Sequence, residues 1–126
     1  MPTPRDWYQK VSNELGLENS MDWGIVNADG ERVLEFIEYI NAKEELPQFI
    51  RYGFVELVYC SMNDLLIKRK GVVEHNLKIK FDEYLESVLF DEKYYPHSTY
   101  WISSRQDNFV LGEYFRAYAG GRDILS

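Results

Sequence analysis

Apolar side chains recur every three or four positions over much of the chain, which is the spacing of amphipathic α-helices. The longest such run covers residues 50–66 and predicts a long helix that Pro47 opens. The basic residues 68–70 fit its C-terminal end, where the helix dipole favours cations, and Gly71 closes it. Residues 54–60 are also rich in strand formers, but the length and the end signals favour a helix.

End signals define a second helix at the start of the chain. Thr3, Pro4 and Asp6 match a capping box with proline at the first helical position. Gly16 suits the left-handed position that ends a helix. The apolar residues between these signals keep the helical spacing: Trp7, Tyr8, Val11 and Leu15.

The next segment predicts a loop and then a helix. Residues 17–28 indicate a loop or short extended stretch that Trp23 anchors, and residues 27–30 indicate a turn and cap. Apolar residues at positions 33–40 form a helical stripe. Three acids fall on the opposite face of that predicted helix: Glu31, Glu35 and Glu38.

The C-terminal third predicts two longer helices with a break between them. Asn76 is a candidate cap for a helix over residues 77–89, and residues 111–118 form the last helix before Gly120 and Gly121. Residues 94–98 interrupt the pattern, and a short helix carries Tyr100 and Trp101, although the structure of residues 94–112 stays open. The polar face of the first of these helices carries Asp82, Glu83 and Glu86.

These patterns predict an all-α single domain, residues 1–126, built as a bundle of five or six helices. Residues 121–126 are expected to form a loose tail. A chain of 126 residues suits one domain of ordinary size with one hydrophobic core.

The formal net charge is -7, from 21 acidic and 14 basic side chains. It is uneven, since residues 1–45 carry -6, residues 46–80 carry +3 and residues 81–126 carry -4. Nucleic acid is a poor partner for such a chain, because carboxylates repel phosphates. The sequence shows neither a signal segment nor a run of membrane-spanning length, so we expect a cytoplasmic protein without a membrane partner.

No residue pattern indicates a reaction, so we expect neither an enzyme nor a cofactor. Cys60 lies within the long predicted helix, where an inert buried thiol is expected, and it has no partner for a disulfide. His75 and His97 lack the spacing of a metal site. Neither a phosphate-binding loop nor a nucleophile motif occurs.

A binding role is the better candidate, because the acidic faces and the ten tyrosines suit contact with a basic protein surface. Residues 91–96 add paired tyrosines and a chain break, and they suggest an exposed, rigid recognition segment. The alternative is that the acids are solvated helix faces and that the tyrosines pack on the core. The candidate partner-binding residues are Glu31, Glu35, Glu38, Asp82, Glu83, Glu86, Asp91, Glu92, Tyr94 and Tyr95.

Several stretches resemble a known group of small helical bacterial proteins. They are residues 22–29 (DWGIVNAD), 32–37 (RVLEFI), 61–64 (SMND) and 99–101 (TYW), followed by Phe109, Phe115 and Arg116. The chain is similar over residues 22–118 to immunity proteins encoded beside secreted polymorphic toxins, including those of contact-dependent growth inhibition systems. The resemblance implies a protein that binds and neutralises the C-terminal toxin domain of its own strain, for instance a basic nuclease, by blocking its active cleft. The alternative is a helical adaptor or regulatory protein that binds an unrelated host partner.

Overall fold

A computed structural model describes residues 3–104 and 109–120. This part of the chain contains seven α-helices, two 3₁₀ turns (Gly30–Arg32 and Glu92–Tyr94) and no strand. The helices are α1 (Pro4–Leu15), α2 (Trp23–Val26), α3 (Val33–Ala42), α4 (Gln48–Lys68), α5 (His75–Val88), α6 (Tyr95–Ser103) and α7 (Val110–Ala119). The all-α prediction is confirmed. The expected tail, residues 121–126, lies outside the described residues.

The helix missing from the sequence prediction is α2, which occupies part of the expected loop. It spans four residues, so it is too short to show a helical period. Trp23 holds it in place, as expected of an anchor, because the indole is 4% exposed and its Nε1 donates to Ser12 Oγ at 2.8 Å. Tertiary packing therefore decides the structure of this segment.

The ends of α1 follow the sequence signals. Asp6 N donates to Thr3 Oγ1 at 3.2 Å, and Thr3 N donates to Asp6 Oδ2 at 3.0 Å, which completes the capping box. Gly16 follows the helix with a φ of 69°, the left-handed conformation that glycine adopts without strain.

Helix α4 is the centre of the bundle, and the strand alternative for residues 54–60 is wrong. It packs against α1, α2, α3, α7 and both 3₁₀ turns, so it buries side chains around most of its circumference. That environment explains why residues 54–60, apart from Glu56, form an apolar run that resembled a buried strand. Pro47 precedes the helix as predicted, and Gly71 N donates to Leu66 O at 2.8 Å beyond its end.

The later helix starts differ from the sequence prediction. Helix α5 begins at His75 behind Glu74, so Asn76 lies in its first turn and is not the cap. The interruption expected at residues 94–98 lies earlier in the chain, because residues 95–98 belong to α6. Pro96 lies in the first turn of that helix, where its missing N–H costs no helical hydrogen bond. Gly120 ends α7 with a φ of 56°, as the sequence indicated.

The core is one cluster of buried side chains centred on α4. Tyr59 is fully buried in it, 3.3 Å from Ser98 Oγ through its hydroxyl and 4.7 Å from the Phe115 ring centroid. These contacts join α4 to α6 and α7. None of the described helices is both long and apolar enough to cross a bilayer.

We expect Trp23→Ala to lower the free energy of unfolding by about 3–5 kcal/mol, because it removes a buried ring between α1 and α4. The substitution also deprives the buried Ser12 hydroxyl of its donor. Urea denaturation measures the change. Trp7→Ala, at a partly exposed ring on α1, is the control and should cost less. Equal losses would contradict the anchoring role of Trp23.

We also expect Gly112→Ala to destabilise the protein, although alanine favours helices. A Cβ at position 112 would lie 2.3 Å from the backbone oxygen of Trp101, so α6 and α7 would have to separate. Overpacking of this kind costs about 1–3 kcal/mol, against a gain of about 1 kcal/mol in helix propensity. Thermal unfolding measures the net change in stability. Glu113→Ala, at the exposed next position, should change little, and a more stable Gly112→Ala variant would refute the close approach.

Candidate functional site

A groove of about 700 Å³ runs along α4, between α2 and α6. Its floor is a row of α4 side chains at four-residue spacing, which places them on one face of the helix: Tyr52, Glu56, Cys60 and Asp64. Ile25 of α2 lines one side. The opposite side belongs to α6 and the segment after it, and its residues are His97, Tyr100, Trp101 and Phe109.

Close backbone packing holds α2 and the first 3₁₀ turn against this face of α4. Gly24 lies so near Glu56 that a Cβ on Gly24 would be 2.8 Å from Glu56 Cγ. Gly30 lies equally near the backbone of Leu65, at 2.9 Å for its own added Cβ. Between them, Asp29 N donates to Ser61 Oγ at 2.9 Å. Gly24 and Gly30 thus allow α2 and the first 3₁₀ turn to lie close to α4.

The α6 side of the groove is held by aromatic packing and by one arginine. The His97 ring lies 4.2 Å from that of Tyr52, and its Nε2 is 3.0 Å from the Tyr52 backbone oxygen. Trp101 and Phe109 meet edge to face at 5.1 Å. Arg116 Nη1 donates to the backbone oxygens of Ile102 and Ser104, at 2.7 and 3.0 Å, and so ties the end of α6 to α7.

Burial and like charges together raise the pKa values of the acidic groups in the floor. Burial raises the pKa of Glu56, and the Asp22 carboxylate adds to the rise. Burial likewise raises the pKa of Asp64, with a contribution from Asp29. The pKa of the Cys60 thiol rises to about 12, through burial and then the charges of Glu56 and Asp64. This thiol is partly exposed and not fully buried as expected, but it stays protonated at neutral pH.

The acids predicted on the α3 face are mostly engaged in ion pairs. Glu31 lies in the first 3₁₀ turn, where Lys68 Nζ is 2.6 Å and Arg69 Nη2 is 3.5 Å from its carboxylate. Arg32 Nη2 is 2.7 Å from Glu35 Oε2. Glu38, the third acid of this predicted set, is exposed and forms no ion pair with a described residue.

Two of the three acids predicted on α5 face α7. Asp82 accepts from the Tyr114 hydroxyl and lies 2.7 Å from Lys78 Nζ. Glu86 accepts from the Tyr118 hydroxyl. Helix α7 therefore covers part of the acidic face that the sequence suggested for a partner, and the third acid is exposed: Glu83.

The segment that was expected to be an exposed recognition element is largely packed. Tyr94 is only 6% exposed, with its ring 6.5 Å from Tyr52, because the second 3₁₀ turn directs it toward α4. The partly buried Tyr95 donates to Phe90 O at 3.1 Å. Asp91 accepts from Lys93 N at the start of the turn. Glu92 is the acid of this segment that remains exposed.

Comparisons with known proteins gave no match to a family model, to a curated protein or to a solved structure. Within residues 3–104 and 109–120, no three His, Cys, Asp or Glu side chains cluster as a metal site would require. The groove and the surface charge are therefore the features of the described residues that bear on function.

The sequence reasoning missed Glu56 and Asp64 as site residues. Glu56 interrupts the most apolar stretch of the chain, and Asp64 follows it eight positions later on the same helical face. That spacing could have indicated the site, because the charged side chains of a buried helix lie on the side that its neighbours leave uncovered. Ile25 carried no such signal, because its exposure depends on how α2 docks.

We expect Glu56→Gln to stabilise the protein at pH 7. The raised pKa of Glu56 means that the fold disfavours the carboxylate. The ionised carboxylate therefore lowers folding stability at pH values above the folded-state pKa, and this loss of stability disappears as the pH falls through that pKa. The melting temperature should rise by roughly 1–2 °C at pH 7, since a partly exposed carboxylate is worth only tenths of a kcal/mol. The gain should shrink at acidic pH.

Differential scanning calorimetry across a pH series measures this effect. Glu38→Gln removes the same charge from an exposed position on α3 and serves as the control. A lower melting temperature for Glu56→Gln at pH 7 would show that the groove stabilises the carboxylate, contrary to the argument.

Proposed function

We propose that this protein is an immunity protein, which binds the toxin domain of a secreted polymorphic toxin and neutralises it without chemistry of its own. The resemblance of residues 22–118 to such proteins suggests this role. The partner would be a basic domain, and a nuclease fits best, because its active cleft is built to attract phosphates. Carboxylates of the immunity protein would then occupy or cover that cleft.

The observation that carries this proposal is the composition of the groove along α4. Glu56 and Asp64 form no ion pair with any described residue, and exposed apolar side chains lie beside them in the groove. By contrast, Glu31 and Glu35 are paired with basic groups within the chain. Negative charge that is not neutralised internally, next to apolar surface, is what binding to a basic protein requires.

The net charge of -7 supports the same role through the rate of association. Opposite charges accelerate the encounter of two proteins, and desolvated contacts slow their separation. An immunity protein needs both, because it has to capture the toxin domain before the toxin acts. The proposed complex should therefore form quickly at low salt and more slowly as the salt concentration rises.

Co-expression with the toxin domain encoded by the neighbouring gene tests the proposal. We expect the chain to restore growth and to co-purify with that domain, with an association rate in stopped-flow mixing that falls as NaCl increases. A toxin domain from an unrelated system is the control and should still kill. Unchanged killing together with no complex at micromolar concentration would refute the immunity role. A neighbourhood of metabolic or signalling genes would favour the adaptor.

A further inference from the structure

We infer that the groove along α4 is the docking surface for a short, extended, cationic segment of the partner protein. Lysine or arginine side chains of that segment would lie over Glu56 and Asp64, and apolar side chains between them would contact Ile25, Ile67 and Tyr100. The inference rests on the proposed function, since it takes the partner to be a basic protein. It specifies which surface the partner binds and which kinds of side chain that surface recognises.

The dimensions of the groove favour an extended segment. The α4 residues that line it run from Tyr52 to Ile67, roughly 22 Å at 1.5 Å per helical residue. A single extended chain is narrower than an α-helix, which is about 10–12 Å wide with its side chains, and can lie along a groove of this length.

The spacing of the two carboxylates matches the repeat of an extended chain. Glu56 and Asp64 are eight residues apart on α4, which separates them by roughly 12 Å along the helix axis. Side chains four residues apart in an extended chain point the same way and are separated by about 13 Å. Two cationic side chains at that spacing would meet both carboxylates, with one apolar side chain between them above Cys60.

Both carboxylates gain from a cationic neighbour that the described chain does not supply. Each has another acid within electrostatic range, namely Asp22 for Glu56 and Asp29 for Asp64, and the pKa of each is raised. A bound cation would relieve the repulsion at both positions, and its attraction would strengthen as the partner excludes water from the groove.

The walls of the groove supply apolar surface. Ile25 is 59% exposed, Ile67 is 47% exposed and Tyr100 is 57% exposed, and all three line the groove. A line of acids flanked by exposed apolar side chains differs from an ordinary solvated helix face, which is polar throughout. The walls therefore select for a segment that alternates cationic and apolar residues over one that is merely basic.

A synthetic peptide with the repeat Lys-Ser-Leu-Ser is the probe, and the repeat Glu-Ser-Leu-Ser is its control. Titration of the full chain, followed by amide chemical shifts, should move the signals of Glu56, Cys60 and Asp64 with the lysine peptide only. The variant Glu56→Lys/Asp64→Lys should weaken peptide binding at least roughly tenfold. Glu44→Lys/Glu45→Lys changes the net charge equally on exposed residues outside the groove and should bind as the parent does.

Where the lysine substitutions prevent folding, Glu56→Gln/Asp64→Asn replaces them and should weaken binding in the same direction. Equal loss in the groove and control variants would show attraction by net charge alone and would overturn the inference. Absence of shifts at millimolar peptide would also overturn it.

The same variants separate this inference from the proposed function. Loss of toxin neutralisation in the groove variant, with neutralisation kept in the control variant, supports both. Neutralisation kept by the groove variant overturns the docking site and leaves the immunity role standing. Failure of the parent chain to bind the toxin domain overturns the immunity role, whereas the peptide titration still decides whether the groove binds cationic segments.

Discussion

The structure depends on the burial of α4 along most of its circumference. A helix of 21 residues surrounded by α1, α2, α3, α7 and two 3₁₀ turns has little surface left to meet water. Its two carboxylates must therefore lie on the strip that its neighbours leave open, since a carboxylate on any other side would be buried without a partner. That strip carries Glu56 and Asp64. The packing of the core thus determines where the groove lies and why its floor is acidic.

The same constraint separates two kinds of acidic residue. Several acids outside α4 form internal contacts, such as Glu31 with Lys68 and Asp82 with Tyr114. These contacts help to orient the 3₁₀ turn and α7. Burial raises the pKa of Glu56 and of Asp64 in the groove, and a second acid near each of them adds to the rise. Such an arrangement costs folding stability at neutral pH, which is common where a surface is shaped for binding.

The elements that could be predicted from the sequence are those whose signals are local. The capping box at Thr3 and the glycines at positions 16 and 120 marked the ends of α1 and α7, because a cap depends on a few neighbouring residues. Helix α2 could not be predicted, since four residues have no period and Trp23 holds them by a bond to a distant serine. The ion pairs of Glu31 join positions more than thirty residues apart, so they follow only from the packed fold.

The fold leads to a different interpretation of the tyrosine content from the one that the sequence suggested. Ten tyrosines in 126 residues suggested an exposed interface, yet Tyr59, Tyr84 and Tyr94 are buried. Tyrosine suits this bundle because its ring fills core volume while its hydroxyl reaches a polar group at the edge, as Tyr118 does with Glu86. The rings bury apolar area between helices, and the acids of α5 accept hydrogen bonds from α7. The surplus of tyrosine therefore argues first for packing. The apolar surface offered to the proposed partner is a smaller set of exposed residues beside the acidic strip of α4, namely Ile25, Ile67 and Tyr100.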